Sequence, residues 1–452
     1  MIRERWRAFG ALLAASLWGV AAMGGDVPVP EKSFPVLEEI LRTAAEQSPR
    51  MLARAIDLEI AENARVAARA GLLPSVGTSY RYYQAQDDRA DQSETLTAAK
   101  VYYDFTVTQA VFHWGERRNQ ARIGEIQKEL AQGGYREAYR GLAQELRQRY
   151  LGLVVKKLQL ARARAALALS EQGLREGETR FAKQLISSSD LYSIRLGTEQ
   201  SRLLLERTEF DYETEKAALA RLAGLPAPLA DDRIPDELPR LEHDAAAVER
   251  LLADFLAQPA PAAPEAEALR RQRRIEELNL KNHRTRLRPK VSAVAGVTQD
   301  EQSYTLNTAQ RYRVMSLYGG LAVNWTIFDG HAARAATRNS LARLRQLDLD
   351  TQETVHRLGQ QAQTQAKHLG FSARYMAMAD HGLVGAEGSF RAKEDDLKRG
   401  LISPADLEAA RIQVIETRLS AYSARIDYLV RAADFLGTVA RDPVLEDLSL
   451  PQ

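Results

Sequence analysis

Gly400–Gln413, GLISPADLEAARIQ, turns a corner and opens a helix, and Gln184–Gly197, QLISSSDLYSIRLG, does the same earlier in the chain. Leu185, Ile186, Ser187, Asp190, Leu191 and Arg195 each precede Leu401, Ile402, Ser403, Asp406, Leu407 and Arg411 by 216 positions. A serine followed three residues later by an acid is a helix-start pattern. Pro404 stands just inside the second helix, where its missing N–H costs nothing. The plain reading of Asp190 and Asp406 is a first-turn carboxylate favoured by the helix dipole.

Two further landmarks share the offset, so the chain is read as a duplication. LLPSV (Leu72–Val76) matches LRPKV (Leu287–Val291) at 215, and AVFHWG (Ala110–Gly115) matches TIFDG (Thr326–Gly330), with Phe112 on Phe328 at 216. Proline, excluded from helix interiors and central strands, is absent between Pro74 and Pro226 and between Pro289 and Pro404. The stretch 226–264 holds seven prolines. The expected organisation is a first repeat over 34–225, a connector over 226–264, a second repeat over 265–440 and a tail over 441–452.

The 452 residues are 45% hydrophobic and 27% charged, enough apolar material for a large core. There is no cysteine, which excludes disulfides, thiolate metal sites and a lipid-modified N-terminal cysteine. Arg3, Arg5 and Arg7, the apolar run Ala8–Met23 and the small residues Val20, Ala21 and Ala22 follow the order of a secretory signal, expected over 1–24. Without it the chain carries 59 residues of each charge sign, a balance that argues against nucleic acid as a bulk partner.

Each repeat is expected to open with a helix and then, after its proline, a β-hairpin, over 75–112 and 290–328. Val76, Thr78, Tyr80 and Tyr82 alternate with Ser75, Gly77, Ser79 and Arg81. Val101, Tyr103, Phe105, Val107 and Val111 share a face on the return run, as do Met315, Leu317, Leu321, Val323, Trp325 and Ile327 in the second copy. The stretches between, QAQDDRADQSETLTAA (84–99) and QDEQSYTLNTAQR (299–311), read as exposed polar loops. Such alternation is the pattern of a transmembrane β-barrel, with a soluble antiparallel sheet packed on helices as the alternative. Four strands cannot close a barrel, so closure needs several copies of the chain.

A long helical run follows each hairpin, rich in Ala, Leu, Arg, Glu and Gln. The run 115–177 would extend roughly 90 Å. Past the corners, expected at 180–190 and 396–406, Leu196, Leu203 and Phe210 form a seven-residue column matched by Ile412, Leu419 and Ile426. A further column runs Leu407, Val414, Ala421 and Tyr428. Seven-residue spacing builds a supercoiled pair, so each corner should join two antiparallel helices.

Hairpin, long helix, corner and returning helix, twice over, resemble the TolC-type outer-membrane factor (outer membrane efflux protein) family. The paired P-x-V strand entries, the exits at Phe112–Gly115 and Phe328–Gly330 and the L-I-S-x-x-D-L corners carry the likeness from about Phe34 to Ala440. The resemblance implies an α+β membrane protein in which long helical hairpins build a periplasmic tunnel and four strands join an oligomeric transmembrane barrel. It implies a homotrimer in outer-membrane lipid that docks a periplasmic adaptor and an inner-membrane transporter. It places adaptor contacts at the tips Lys183, Leu185, Ile186 and Ser187, and Arg399, Gly400, Leu401, Ile402 and Ser403. Asp190, Asp406 and Glu408 become a candidate gate, although Ala409 departs from the family's double-aspartate spacing. The connector would lie in the tunnel's equatorial belt, or form a surface linker.

Enzyme chemistry finds little support. The seven histidines form no H-E-x-x-H, and no phosphate loop or G-x-S-x-G elbow is present; no cofactor or metal is expected. Tyr318–Val323, YGGLAV, lies within a strand, where glycine relieves crowding, and His113 and Trp114 read as interfacial anchors. An exit conduit, passive and powered elsewhere, is thus the leading reading. A secreted coiled-coil spacer without a pore competes with it, and a periplasmic adaptor is disfavoured by the two equivalent hairpins.

Overall fold

A computed structural model of the chain describes residues 27–88, 96–258, 261–302, 312–445 and 448–450. The expected signal segment lies outside them, as does most of the polar sequence between paired strands. The chain opens with a short helix α1 (Pro30–Ser33) and α2 (Pro35–Gln47). The first repeat then runs α3 (Pro49–Ala70), β1 (Ser75–Asp87), β2 (Leu96–Phe112), α4 (Glu116–Ala182) and α5 (Ser188–Ala223). After α6 (Ala245–Ala257) the second repeat runs α7 (Pro264–Thr285), β3 (Lys290–Gln302), β4 (Tyr312–Asn324), α8 (Ala332–Lys398) and α9 (Pro404–Thr438).

The two copies agree element by element. The helices α3 and α7 have 22 residues each and α4 and α8 have 67 each. From Ser75 to Lys290 the offset is 215, and from Leu96 to Tyr312 it is 216. The single-residue insertion therefore falls between the strands of the second hairpin, where a ladder tolerates it without a change of register.

Two compact units cut across this duplication. One contains both hairpins with α3, α7 and the first stretches of α4 and α8. The other contains both corners, the returning helices, α2, α6 and most of the connector. In the first unit the strands form one antiparallel sheet in the order β1-β2-β3-β4, so β1 and β4 are its edges. The ladder is longer than the polar sequence suggested: Asp87 pairs with Leu96 and Gln302 with Tyr312, because backbone bonding does not depend on apolar side chains. At the other end β4 stops at Asn324, short of the expected 328. Asn324 pairs with Lys290, and the preceding Pro289 has no N–H to continue the ladder.

Glycine is needed where Tyr318 crosses the sheet. A Cβ on Gly296 would approach the Tyr318 hydroxyl to 2.7 Å, whereas Gly320 meets open space, so the crowding in this strand pair is relieved at Gly296 rather than at the glycines of YGGLAV.

The second unit holds the larger core. Leu37, Ile40, Leu142, Leu146, Leu219 and Phe435 are among its fully enclosed side chains. Gly224 ends α5 in the left-handed region with φ 75°, and a Cβ there would meet Gln47 O at 2.3 Å, so no other residue fits. The connector is tied down at several points. Lys157 Nζ donates to Asp231 O and Ile234 O at 3.0 and 2.8 Å, and Tyr150 donates to Arg233 O.

The expected helix seam needs a correction. Leu196, Leu203 and Phe210 are 48%, 66% and 70% exposed and are not part of the α4–α5 seam. Leu191, Thr198, Leu205, Tyr212 and Leu219 form it instead, all buried except the half-buried Leu205. They are the exact equivalents, at 216, of Leu407, Val414, Ala421, Tyr428 and Phe435. Thr198 breaks the apolar pattern of that column. Its hydroxyl is satisfied by Ile194 O at 3.1 Å and Ser170 O at 3.3 Å.

Arg147 is the most costly residue of this core to bury, with 0% exposure. Its Nη1 and Nη2 donate to the two carboxylate oxygens of Asp442, both at 2.8 Å, and its Nε donates to Glu31 Oε1 at 2.6 Å. Burial works against the guanidinium charge, but Asp442 and Glu31 outweigh it and raise the Arg147 pKa above its ordinary value. Asp442→Ala leaves that charge half-paired and should destabilise the unit by about 3 kcal/mol. Denaturant unfolding followed by circular dichroism checks this; a midpoint equal to the parent's would show that the clasp contributes nothing.

Candidate functional site

The corners are built by the same hydrogen bonds. At the first, α4 ends as Gln184 N donates to Phe181 O at 2.8 Å and Leu185 N to Arg180 O at 2.9 Å. At the second, Gly400 N donates to Leu397 O and Leu401 N to Asp396 O, both at 2.9 Å. This is the pattern that closes a helix through one left-handed residue. Gly400 occupies that position with φ 75°, and its equivalent Gln184 does so with φ 57°, a conformation that disfavours a side chain.

The next residues start the returning helix. Ser187 Oγ accepts from Asp190 N at 3.1 Å while Asp190 Oδ2 accepts from Ser187 N at 3.0 Å and Ser187 Oγ at 2.7 Å. Ser403 and Asp406 repeat the box, in the same order, at 3.2, 3.0 and 2.7 Å. Both aspartates are thereby held below the usual carboxylate range by the serine side chain first and its backbone second. Glu408 lies two residues beyond Asp406, 3.7 Å from Arg411.

Between the end of one helix and the start of the next, each tip presents the same apolar knob. Leu185 and Leu401 are 68% and 69% exposed, while Ile186 and Ile402 turn partly inward. Lys183, Ser187, Arg399, Gly400 and Ser403 are exposed around them. Each leucine thus stands in solvent on a turn whose backbone is hydrogen-bonded. A groove of about 450 Å³ beside the first tip is lined by Gln172, Arg175, Glu176, Thr179, Arg180 and Lys183.

The sheet is the second functional surface, described within its own unit. Register puts Val76, Thr78, Tyr80 and Tyr82 opposite Val107, Phe105, Tyr103 and Val101. The same face continues across Val297, Ala295 and Ala293 to Leu317, Gly319 and Leu321. Leu317 is 83% exposed, and its neighbours Met315, Leu321 and Val323 are exposed too. The opposite face carries Ser79, Arg81, Asp104, Thr106, Thr298 and Ser316. One face suits hydrocarbon and the other water, which is the division a barrel wall requires. Among the described residues no helix is long and apolar enough to cross a membrane, and no group of His, Asp and Glu side chains is placed to hold a metal ion.

Comparison with known proteins bears on both surfaces. Residues 40–225 match the family model "Outer membrane efflux protein". The matched stretch lies within the first repeat. No curated protein matches the chain. The Campylobacter jejuni CmeC outer membrane channel is similar over 94% of this chain and 90% of its own, with a TM-score of 0.71 at 13% identity. The Vibrio cholerae outer membrane protein VceC is similar over 90% of this chain and 97% of its own, with a TM-score of 0.62 at 14% identity. The open state of the Neisseria gonorrhoeae MtrE outer membrane channel gives 0.60 at 14% identity, over 90% of each chain. At such identities the likeness is one of fold, and it extends through both repeats. The TolC-type resemblance of the motifs is thus met by the family model and by the fold, and the architecture is that of an efflux exit duct.

Sequence reasoning located every residue of the corner but not its strain. Gln184 at a glycine position has no signal in one copy alone; the signal is its alignment with Gly400. Gln184→Gly should stabilise the first corner by roughly 0.5–1 kcal/mol, whereas Gly400→Gln should destabilise the second. Hydrogen exchange at Leu185 and Leu401 measures both. The capping boxes predict a pH effect whose sign follows from the lowered pKa values. Their stabilisation is complete above the ordinary aspartate value of 3.8 and is lost as pH falls below it through the folded values. Amide protection at the two corners should therefore fall together only in that acid range.

Proposed function

We propose that three copies of this chain close their sheets into one outer-membrane barrel and their helices into a periplasmic duct, which receives substrate from an inner-membrane transporter through an adaptor. The observation that carries the reading is a four-stranded sheet with one apolar face, one polar face and two open edges. Edge N–H and C=O groups cannot remain unpaired in hydrocarbon, and about eight strands are the fewest that enclose an interior. Twelve strands from three copies satisfy both conditions. The exposed column Leu196, Leu203 and Phe210 supplies apolar contact between neighbouring copies along the helices.

Lys183, Leu185, Ile186 and Ser187, with Arg399, Gly400, Leu401, Ile402 and Ser403, are then the adaptor contacts. Two equivalent knobs per protomer give six per trimer. The paired boxes support this reading because they fix both leucines in one conformation before a partner arrives, which lowers the entropy cost of docking. Asp190, Asp406 and Glu408 are proposed as the acidic constriction, the negative charge of the two aspartates being preserved by the serine caps. The duct itself is passive, with the outer membrane as its location and the periplasm as that of its helices.

Purified protein in a planar lipid bilayer should give discrete, reproducible channels. Folded protein that neither inserts nor conducts after Asp190→Asn and Asp406→Asn are combined would refute the conduit. In conducting protein the same pair should reduce cation selectivity, and unchanged selectivity would remove these aspartates from the gate. Leu185→Asp with Leu401→Asp should abolish export in cells while leaving conductance intact, since only docking depends on the knobs.

A further inference from the structure

We infer that the rim where the sheet meets its helices is a binding surface for anionic phospholipid headgroups. The inference rests on the reading of the sheet as membrane-spanning and adds which lipid the protein selects. Four stretches meet at this rim, 66–76, 111–122, 281–292 and 324–338, and together they carry eleven arginines and lysines against two carboxylates, Glu116 and Asp329. Both carboxylates are already engaged, Glu116 with Lys290 and Asp329 with Arg286. The polar sequences at the far end of the same strands, 84–99 and 299–311, have the opposite balance, with six acids and two arginines.

Side-chain contacts bring the four stretches to one level. Gln109 Nε2 donates to Leu72 O at 3.1 Å, Trp114 Nε1 to Pro289 O at 2.8 Å and Trp325 Nε1 to Leu287 O at 3.0 Å. A Cβ on Gly71 would lie 3.5 Å from Arg117 Nη1, which sets that guanidinium beside the end of α3. The two indoles stand where the apolar face ends, the depth at which tryptophan marks a membrane–water interface. The Arg288 guanidinium lies 4.6 Å above the Trp114 ring, holding a cation at that same depth. Arg69, Arg117, Arg284, Arg288 and Arg334 are all exposed.

The order is therefore apolar strand face, indole, guanidinium, which reproduces the order acyl chain, glycerol, phosphate of a lipid leaflet. Arginine offers a planar fork of donors matched to a phosphate. A row of such charges at a surface attracts anionic lipid over a range of about 10 Å at 0.1 M salt. A zwitterionic headgroup carries its own cation and gains little from the row, so the structure favours phosphatidylglycerol-type headgroups over phosphatidylcholine-type ones.

Full-length protein in neutral detergent tests this by thermal unfolding with added phosphatidylglycerol, phosphatidylcholine or inorganic phosphate. Phosphatidylglycerol should raise the midpoint by about 5 °C more than phosphatidylcholine, as expected for a ligand that binds only the folded state. Inorganic phosphate should not reproduce the gain. The variant Arg117→Gln, Arg284→Gln, Arg334→Gln spares the stacked and ion-paired arginines; it should keep the parent's midpoint in phosphatidylcholine and lose most of the phosphatidylglycerol increment. Equal effects of the two lipids, an equal gain from phosphate, or a full increment in the variant would overturn the inference. Flotation with phosphatidylcholine vesicles separates the two readings: failure to float refutes the spanning sheet and this inference with it, while flotation without a phosphatidylglycerol preference refutes this inference alone.

Discussion

The open edges of the sheet are the constraint around which the molecule is organised. A β1-to-β4 ladder with no closure leaves two rows of backbone donors and acceptors unpaired, and an exposed apolar face such as that around Leu317 would ordinarily invite aggregation. Both liabilities vanish if equivalent edges from other copies pair with them inside a bilayer. In a soluble sandwich the apolar face would be packed on a core, whereas here Met315, Leu317 and Leu321 are exposed. Duplication supplies the four strands from two hairpins in one chain, and the same duplication multiplies the corners.

The parts of the fold that depend on local chemistry were legible. Period-two alternation gave the strands, proline spacing gave the long helices, and Ser187 to Asp190 and Ser403 to Asp406 marked both helix starts. Alignment of the copies showed a one-residue shift between the 215 and 216 offsets, which the strand pairing then placed within the second hairpin. What could not be read depends on tertiary partners. The first-copy seam was hidden because Thr198 sits in an apolar column, and its burial is intelligible only once Ser170 O is seen to accept from it. The exposed column Leu196, Leu203, Phe210 looked like the seam because heptad spacing does not state which neighbour is meant. Arg147 was invisible among the many arginines of α4, since its partners lie far away in sequence. At the two corners the capping residues were readable, but the left-handed Gln184 and the outward throw of Leu185 and Leu401 were not.

Duplication has not left the copies chemically equal. Equivalent corners share hydrogen bonds to within 0.1 Å in the capping boxes, yet one closes through a strained glutamine and the other through an unstrained glycine. The strand exits show a mirrored exchange. Trp114 and Gly115 take left-handed conformations in the first copy, Gly330 and His331 in the second, so glycine has moved by one position while the turn is preserved. Backbone geometry is thus held more tightly than the residues that produce it, as expected where a quasi-symmetric assembly constrains shape.

The Arg147 clasp bears on the order in which the protein can be made. Glu31 precedes every strand and corner and Asp442 follows them all, yet both close on one guanidinium at the middle of α4. A chain entering its compartment from the N-terminus exposes Glu31 and then Arg147 long before Asp442 arrives. Until that last partner emerges, the arginine must stay in water or accept a single acid. Closure of the clasp is consequently a late event, completed only once the segment carrying Asp442 has arrived.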